Sequence, residues 1–251
     1  MSRPPNLNLC VDDFQRALGE VAGTWRVQNA HRTTLGSSVV NAASSAALTA
    51  CATQWEYFRS EWHKKAIARD ATQYRDELSR RLRVFAEESD GGRDLVVALR
   101  DSGLSVEINL PKAPKIATIT RLKDAKDQNV SFRTQRDSDS AADRDLAPAY
   151  ALRPKSLTRE DWLVIELMIA IRNALAHSST RAVDAMNAAL VKAASVRRSA
   201  DIVHLARVSQ RVSPSGIGRY LSATVPWAGG QESRVLAMCS YISELGDKFR
   251  D

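Results

Sequence analysis

One apolar segment, residues 162–171, constrains the fold of this 251-residue chain more than any other. Apolar side chains surround it on every side of a helix and only Glu166 interrupts them, which is typical of a helix buried at the centre of a bundle. Thr158 and Asp161 have the spacing of a capping box and predict where this helix begins. The segment is about half as long as a membrane span, so we expect it in a protein core and no membrane anchor.

Helical periodicity recurs over most of the chain and predicts an all-α architecture. The segments with this pattern are residues 11–32, 39–69, 72–88, 93–100, 180–194, 200–208 and 232–249. The first half of 39–69 is rich in alanine, and small side chains let another helix approach closely, so we place this half in the centre of the bundle. Asp90, Gly91 and Gly92 predict the end of the third helix.

Residues 111–156 lose the helical pattern. Residues 104–110 alternate like a strand, 116–122 and 130–132 also suggest extended chain, and prolines with a polar run predict a mobile loop between them. We therefore predict one domain over residues 1–251, a helical bundle with a small extended or β insertion at 104–156. The helices after residue 194 are expected to form a C-terminal extension over 195–251.

The net charge of +7 has an uneven distribution, because residues 111–211 carry 18 Lys/Arg against 11 Asp/Glu and the rest of the chain balances. A basic surface suits a polyanion such as nucleic acid, although an ordinary solvated basic face gives the same composition. The three cysteines are widely spaced and fit neither a disulfide framework nor a zinc site. Together with an N-terminus that lacks the apolar run of a signal peptide, they predict buried thiols in a cytoplasmic protein.

Three polar residues, Arg172, Asn173 and His177, follow at the end of the apolar helix. At about 100° per residue, Glu166, Asn173 and His177 fall within roughly 20° of one line, while Arg172 points to an adjacent side. Polar side chains on a helix that is otherwise apolar need a polar cavity or a partner helix that binds them. The alternative is a plain helix end, where arginine and histidine complement the helix dipole and reach solvent.

The segment Arg172-Asn173-Ala174-Leu175-Ala176-His177 resembles the signature of HEPN domains. Residues 50–58, Ala-Cys-Ala-Thr-Gln-Trp-Glu-Tyr-Phe, are similar to the early helix of HEPN branches that accompany defence and RNA-processing systems. The resemblance covers 39–69 and 158–177. It implies a HEPN-like helical bundle in which two copies meet across a homodimer to form a ribonuclease site.

This resemblance also implies roles for four residues in a metal-independent endoribonuclease without cofactors. His177 moves protons and Arg172 binds the phosphate, while Asn173 orients His177 or holds the phosphate, and Glu56 supports Arg172. The RNA supplies its own 2′-hydroxyl as nucleophile, so the expected products carry a 2′,3′-cyclic phosphate and a 5′-hydroxyl. The implied setting is bacterial antiviral defence or a toxin–antitoxin pair, in which an antitoxin or a defence protein is the partner.

Two other functions stay open at this point. One is a catalytically silent HEPN module that binds RNA or nucleotide or mediates association, and the other is a basic helical regulator that binds nucleic acid. Glu56 alone also fits an ordinary solvated or salt-bridged glutamate. Outside the motif, Glu166 is interpreted as buried and paired, and His31, His63 and His204 as structural or surface residues.

The spacing of the motif predicts a dimer on geometric grounds as well. Arg172 and His177 lie five positions apart, hence about 140° apart around one helix, so one chain presents them poorly to a single phosphate unless the last turn unwinds. A two-fold axis brings the same patch of both chains face to face and removes this difficulty. Residues 162–171 are the apolar surface expected to contribute to that contact.

Overall fold

The computed structural model describes residues 4–88, 90–102, 110–124, 132, 134–196 and 199–251. These residues form helices, one two-stranded sheet and two short 3-10 helices (Pro214–Gly216 and Gly246–Phe249), so the predicted all-α fold is confirmed. The helices are α1 (Leu7–Ala30), α2 (Arg32–Leu35), α3 (Ser37–Arg69), α4 (Thr72–Glu88), α5 (Asp90–Asp101), α6 (Ile116–Asp124), α7 (Gln135–Asp145), α8 (Pro148–Lys155), α9 (Arg159–His177), α10 (Thr180–Ala194), α11 (Ala200–Ala206), α12 (Ile217–Ser222) and α13 (Arg234–Leu245).

The long helix α3 is the centre of the bundle. It runs for 33 residues, which at 1.5 Å per residue is about 50 Å. Helices α1, α9, α12 and α13 all pack against it. The first half of α3 is rich in small side chains. Leu48, Cys51 and Ala52 are fully buried there, as the alanine-rich sequence predicted. Small side chains there allow the neighbouring helices to approach α3 closely.

Helix α9 begins and packs as the sequence predicted. The Thr158 hydroxyl accepts the Asp161 N–H at 3.2 Å, and the Asp161 carboxylate accepts the Thr158 N–H at 2.6 Å, which completes the capping box. Beyond it, Leu167, Met168 and Ile171 have no exposed surface. The chain's own core uses most of residues 162–171, and only Glu166, Ile169 and Ala170 are half-buried, so little of this segment is left for the expected dimer contact.

The C-terminal residues close the same core instead of forming an extension beside it. Phe249 is fully buried, and its ring centroid lies 5.3 Å from that of Phe58 and 5.1 Å from that of Trp62. The Trp62 indole N–H donates to the Phe249 carbonyl at 3.0 Å. Ring contacts of this edge-to-face geometry stabilise the core beyond what the burial of the rings alone contributes. The end of the chain therefore stabilises the aromatic half of α3.

The middle of the chain differs from its prediction. Residues 116–122, expected to be extended, belong to α6, where Ile119 is fully buried and α6 packs against α3. A short apolar run fits a strand or a helix by pattern alone, and here the packing favours the helix. Helices α7 and α8 occupy most of 134–156. The predicted strand at 104–110 and the extended chain at 130–132 lie outside the described residues, except for Leu110 and Phe132.

Helix α4 ends at Glu88, as predicted, and the helix expected at 93–100 begins earlier, at Asp90, so that Gly91 and Gly92 lie in its first turn. A β-hairpin that the sequence did not predict follows α12, with β1 (Thr224–Trp227) antiparallel to β2 (Gly230–Ser233). Ala228 and Gly229 connect the strands with φ of 49° and 78°, the positive values that two-residue hairpin turns require.

The three cysteines are free and buried, as predicted. Over the part of the chain that the structure describes, we find no helix with both the length and the apolar content to cross a bilayer.

Candidate functional site

The predicted catalytic histidine lies at the end of α9, at a tight connection to α10. Helix α9 stays regular up to His177, and Ser178 ends it in the left-handed conformation with φ of 48°. The Ser178 N–H donates to the Ala174 carbonyl at 3.0 Å, and the Ser179 hydroxyl then caps α10. His177 is exposed to solvent. The last turn does not unwind, so Arg172 and His177 point to different sides of the helix.

Arg172 is held at the seam between α3 and α9. Its Nη2 donates to Oε1 of Glu56, and the two side chains are 27% and 38% exposed. The Nε–H of Arg172 is buried and has no hydrogen-bond partner. Buried donors are nearly always satisfied in proteins, so this guanidinium has hydrogen-bonding capacity left over. The motif resemblance named Glu56 as the support of Arg172, and the structure brings the two together.

Asn173 is half-buried beside Arg172 and has no hydrogen bond within the described chain. It is one helical turn from His177, the spacing at which side chains on a helix are neighbours. The predicted hydrogen bond that would orient His177 does not form in the isolated chain. Asn173 therefore offers a free amide on the surface between Arg172 and the helix end.

Glu166 is the third member of the predicted polar line, and it does not join the site. Its carboxylate accepts from Nζ of Lys192 on α10 at 2.6 Å, and its side chain is 27% exposed. The interpretation of a paired glutamate is correct, although the residue is only half-buried. This ion pair connects α9 to α10, whereas the Arg172–Glu56 pair connects α9 to α3.

A cleft of ≈300 Å³ opens next to the end of α9. Ser178 and Thr180 form one wall, and Arg211 and Ser213 form another. The cleft therefore joins the α9–α10 connection, which carries His177, to the basic loop after α11. Its hydroxyl groups and its arginine are the kinds of donor that bind phosphate oxygens.

The structure contains a buried ionic cluster that the sequence did not predict. Asp145 is fully buried and accepts from Nε2 of His63 at 3.1 Å, Nζ of Lys123 at 2.5 Å and Nη2 of Arg144 at 3.0 Å. A carboxylate only accepts, so the His63 proton sits on Nε2. The cluster joins α3, α6 and α7 and lies apart from Arg172. Its signal in the sequence was weak, because His63 and Asp145 are separated by 82 positions.

Burial and charge determine the ionisation of this cluster. Burial lowers the pKa of His63 to about 4, although the hydrogen bond to Asp145 acts in the opposite direction. Burial alone would raise the pKa of Asp145, but hydrogen bonds from His63 and Arg144 and the charge of Lys123 hold that pKa well below its usual range. At neutral pH the cluster therefore contains a neutral histidine and an ionised aspartate.

A second buried cation, Arg59, lies in an aromatic cage. Its guanidinium is 4.7 Å from the ring centre of Phe249 and 4.8 Å from that of Phe132, and it donates to the Ser138 hydroxyl at 2.8 Å. Burial lowers the pKa of Arg59 to about 9. Cation–π contacts stabilise such a desolvated charge. Arg59 and the Asp145 cluster hold α7 against α3, and we assign both to the fold.

Comparison with protein-family models, curated proteins and solved structures finds no match to this chain. Among the described residues, His, Cys, Asp and Glu side chains do not gather in groups of three that could hold a metal ion. The functional inference therefore depends on the motif and on the geometry around α9.

Proposed function

We propose that this chain is a HEPN-type, metal-independent endoribonuclease. One observation supports the proposal most directly: the Arg172 and Glu56 side chains, named from two separate segments of the sequence, pair with each other at the α3–α9 seam. The exposed His177 ends the same helix. Cleavage of RNA by its own 2′-hydroxyl needs at least a group that accepts a proton and a cation that binds the phosphate. His177 and Arg172 are groups of these two kinds.

The proposed chemistry is a transesterification within the RNA. His177 accepts the proton of the 2′-hydroxyl, the 2′-oxygen attacks the adjacent phosphorus, and the bond to the 5′-oxygen breaks. The 5′-oxygen takes a proton from water, which leaves a 2′,3′-cyclic phosphate and a 5′-hydroxyl. Arg172 binds the non-bridging oxygens, where negative charge grows during the reaction. Glu56 positions the guanidinium, and Asn173 is available to the phosphate or to His177.

A homodimer is part of the proposal because α9 stays regular to its last residue. With about 140° between them, Arg172 and His177 of one chain face different directions, and a two-fold axis lets Arg172 of one chain meet His177 of the other. The exposed side of α3 next to Glu56 suits such a contact. It presents Thr49 and Thr53, whose small side chains leave room for a close approach, and the ring of Tyr57, which is 63% exposed.

By analogy with the family that the motif resembles, we propose a role in bacterial antiviral defence or in a toxin–antitoxin pair. Both settings require that the ribonuclease be restrained until it is needed.

The first prediction concerns catalysis. Arg172→Ala and His177→Ala should each lower the rate of RNA cleavage by about 10²-fold or more, because each removes a group that acts on the reacting phosphate. Cleavage by the wild-type chain should persist in excess EDTA, since the 2′-hydroxyl needs no metal-activated water. The measurement is gel analysis of a labelled RNA, with the product ends identified by mass spectrometry.

Matched controls for these variants are Arg83→Ala on α4 and His31→Ala after α1, which replace exposed residues of the same types. Both controls should cleave at the wild-type rate, and all four variants should melt within a few degrees of the wild type. Full activity in purified Arg172→Ala or His177→Ala chains would contradict the assignment. Activity that chelation abolishes and magnesium restores would contradict the mechanism.

The second candidate is a silent HEPN module that binds RNA without cleaving it. The occupation of Arg172 by Glu56 favours this function, because a neutralised guanidinium contributes less to a transition state. The same assay separates the two candidates. A silent module binds the labelled RNA and leaves it intact under all conditions, and neither alanine substitution changes the product pattern.

A further inference from the structure

A second pocket of ≈280 Å³ lies between the loop after α11 and helix α12. Four arginines line it: Arg207, Arg211, Arg219 and Arg234. Its described lining contains neither aspartate nor glutamate. Four cations around one concave site create a strongly positive potential, which favours an anion there.

Most of this positive charge has no carboxylate partner among the residues that the structure describes. Arg211 pairs with Asp184, whereas Arg207, Arg219 and Arg234 form no ion pair with any carboxylate of the described residues. Arg207 and Arg219 are exposed, so their guanidinium groups are available to a ligand. Like charges that share a pocket repel one another, and a bound anion relieves this repulsion.

Arg234 forms the fixed back wall of the pocket. It is only 8% exposed, and its two terminal nitrogens donate to the carbonyls of Tyr220 at 2.6 Å and of Arg207 at 3.1 Å. Its guanidinium also stacks over the Tyr220 ring at 4.1 Å, while its Nε is buried without a partner. Burial lowers the pKa of Arg234, so a nearby anion would stabilise its charged form. A buried cation that no carboxylate neutralises is a cost to the fold unless a ligand offsets it.

The loop that carries Arg211 is held in place before any ligand binds. Asn187 of α10 accepts the Val212 N–H at 2.9 Å and donates to the Val212 carbonyl at 3.0 Å. This pair of hydrogen bonds fixes the backbone between Arg211 and Ser213. A site whose donors are already fixed loses less entropy when it binds a ligand.

The pocket adjoins the cleft at the end of α9. Arg211 and Ser213 line both, and Ser178 and Thr180 line the cleft immediately after His177. A chain of phosphates that enters the arginine pocket can therefore continue past Arg211 towards His177. A strand with regularly spaced anions matches this layout better than a single compact anion does.

We propose that the arginine pocket binds a backbone phosphate of the single-stranded RNA whose scissile phosphate lies at His177. The identity of the strand rests on the proposed function, whereas phosphate binding by the pocket does not. Electrostatic contacts to phosphate fix the position and register of a nucleic acid without reading its sequence. The pocket thus positions the RNA, and it is separate from the groups that cleave it.

The test compares RNA binding by pocket and control variants, both built on His177→Ala so that the RNA stays intact. The pocket variant is Arg207→Gln with Arg219→Gln, and the control is Arg83→Gln with Arg136→Gln, two exposed arginines on α4 and α7. Fluorescence anisotropy with a labelled 20-nucleotide RNA gives Kd over a series of salt concentrations. We expect the pocket variant to bind at least about tenfold more weakly, with a salt slope smaller by roughly 0.7 for each lost phosphate contact.

Each alternative outcome has a definite meaning. Equal affinity and equal salt slope in the pocket and control variants would overturn the proposal. Calorimetry with ATP gives a second arm: if the pocket variant loses ATP binding but keeps RNA binding, the site serves free nucleotides and the RNA proposal is wrong. A variant with Arg207→Lys and Arg219→Lys should bind RNA more tightly than the glutamine variant and less tightly than its arginine parent. Lysine keeps the positive charge but lacks the planar guanidinium that binds two phosphate oxygens at once.

Failure of the pocket and failure of the proposed function are distinguishable. If the wild-type chain never cleaves RNA but the pocket variant still binds it more weakly, the pocket proposal stands and the ribonuclease proposal fails. If Arg172→Ala and His177→Ala abolish cleavage while the pocket variant binds RNA like its control, only the pocket proposal fails.

Discussion

At the scale of single residues, Arg172 is held by one hydrogen-bonded ion pair at a half-exposed seam. Pairs in such positions typically contribute less than about 1 kcal/mol to stability, because solvent screens them and the long side chains lose freedom. The fold therefore does not depend on this pair. The guanidinium can exchange Glu56 for a phosphate at little cost, which suits the substrate-binding role that we propose for it.

His63 has a different relation to stability, because it is buried and neutral. Its pKa is about 4 in the folded chain against an ordinary value of 6.5. Above pH 6.5 neither state binds the proton, and the full stability is present. As the pH falls from 6.5 towards 4, the unfolded chain takes up a proton that the folded chain does not, so stability is lost over this window.

We therefore predict that the free energy of unfolding falls by roughly 2 kcal/mol between pH 7.5 and pH 5 through His63 alone. The measurement is urea denaturation of the wild type and of His63→Gln at both values. The variant should be less stable at pH 7.5, because glutamine lacks the imidazole ring that packs against Phe132, and its stability should depend less on pH. An equal loss in both proteins between pH 7.5 and pH 5 would show that His63 is not the responsible group.

Residues differ in how far the sequence could predict them. Arg172, His177 and Glu56 stand in short segments that resemble known motifs, so they could be named in advance, and Glu56 was found beside Arg172. Asp145 could not be found this way, because it is a polar residue in a stretch that lacks a helical pattern. Only the fold brings it against His63, and no local signal encodes such a long-range pair.

At the scale of elements, the long periodic helices were predictable and the short segments were not. Thr72–Glu88 and Thr180–Ala194 have the bounds that the sequence predicted, since many turns of helix repeat the same signal. Helix α6 and the β1–β2 hairpin were missed. Both are short, and packing against neighbouring helices decides their conformation more than their own sequence does.

The contact between α12 and α3 depends on one glycine. A Cβ at Gly218 would lie 2.5 Å from the carbonyl oxygen and 2.8 Å from the carbonyl carbon of Asn41. These are backbone atoms and cannot turn away as the end of a side chain can. The Ser222 hydroxyl also donates to the Asn41 side chain at 2.8 Å, which fixes α12 at this short distance.

We predict that Gly218→Ala lowers the free energy of unfolding by about 1–3 kcal/mol or more, because one helix must shift away from the other. Gly19→Ala on α1 is the control, since nothing lies within 4 Å of its added Cβ. A helical Gly→Ala change without contacts should stabilise the chain by up to about 1 kcal/mol. Urea denaturation of both variants measures the difference. Equal stability of the two variants would mean that α12 does not pack on α3 as closely as described.

At the scale of the whole molecule, both ends of the chain meet at α3. Helix α1 packs along α3, and Phe249 completes the aromatic core beside Phe58. His177 stays exposed to solvent, and Arg172 stays partly exposed at the α3–α9 seam. The apolar sequence of α9 predicted a buried helix, but the sequence could not say which of its sides a second chain would meet.

The central claim is that cleavage occurs at a site made by two chains, with Arg172 from one and His177 from the other. The most direct measurement mixes purified Arg172→Ala and His177→Ala chains and follows RNA cleavage in EDTA. After random exchange, half of the dimers are mixed and each has one intact site, so we predict that about a quarter of the wild-type activity returns. Native mass spectrometry of the same mixture confirms that exchange has occurred. A mixture that exchanges fully but cleaves no faster than either variant alone, or a wild-type chain that is fully active as a monomer, would contradict the account.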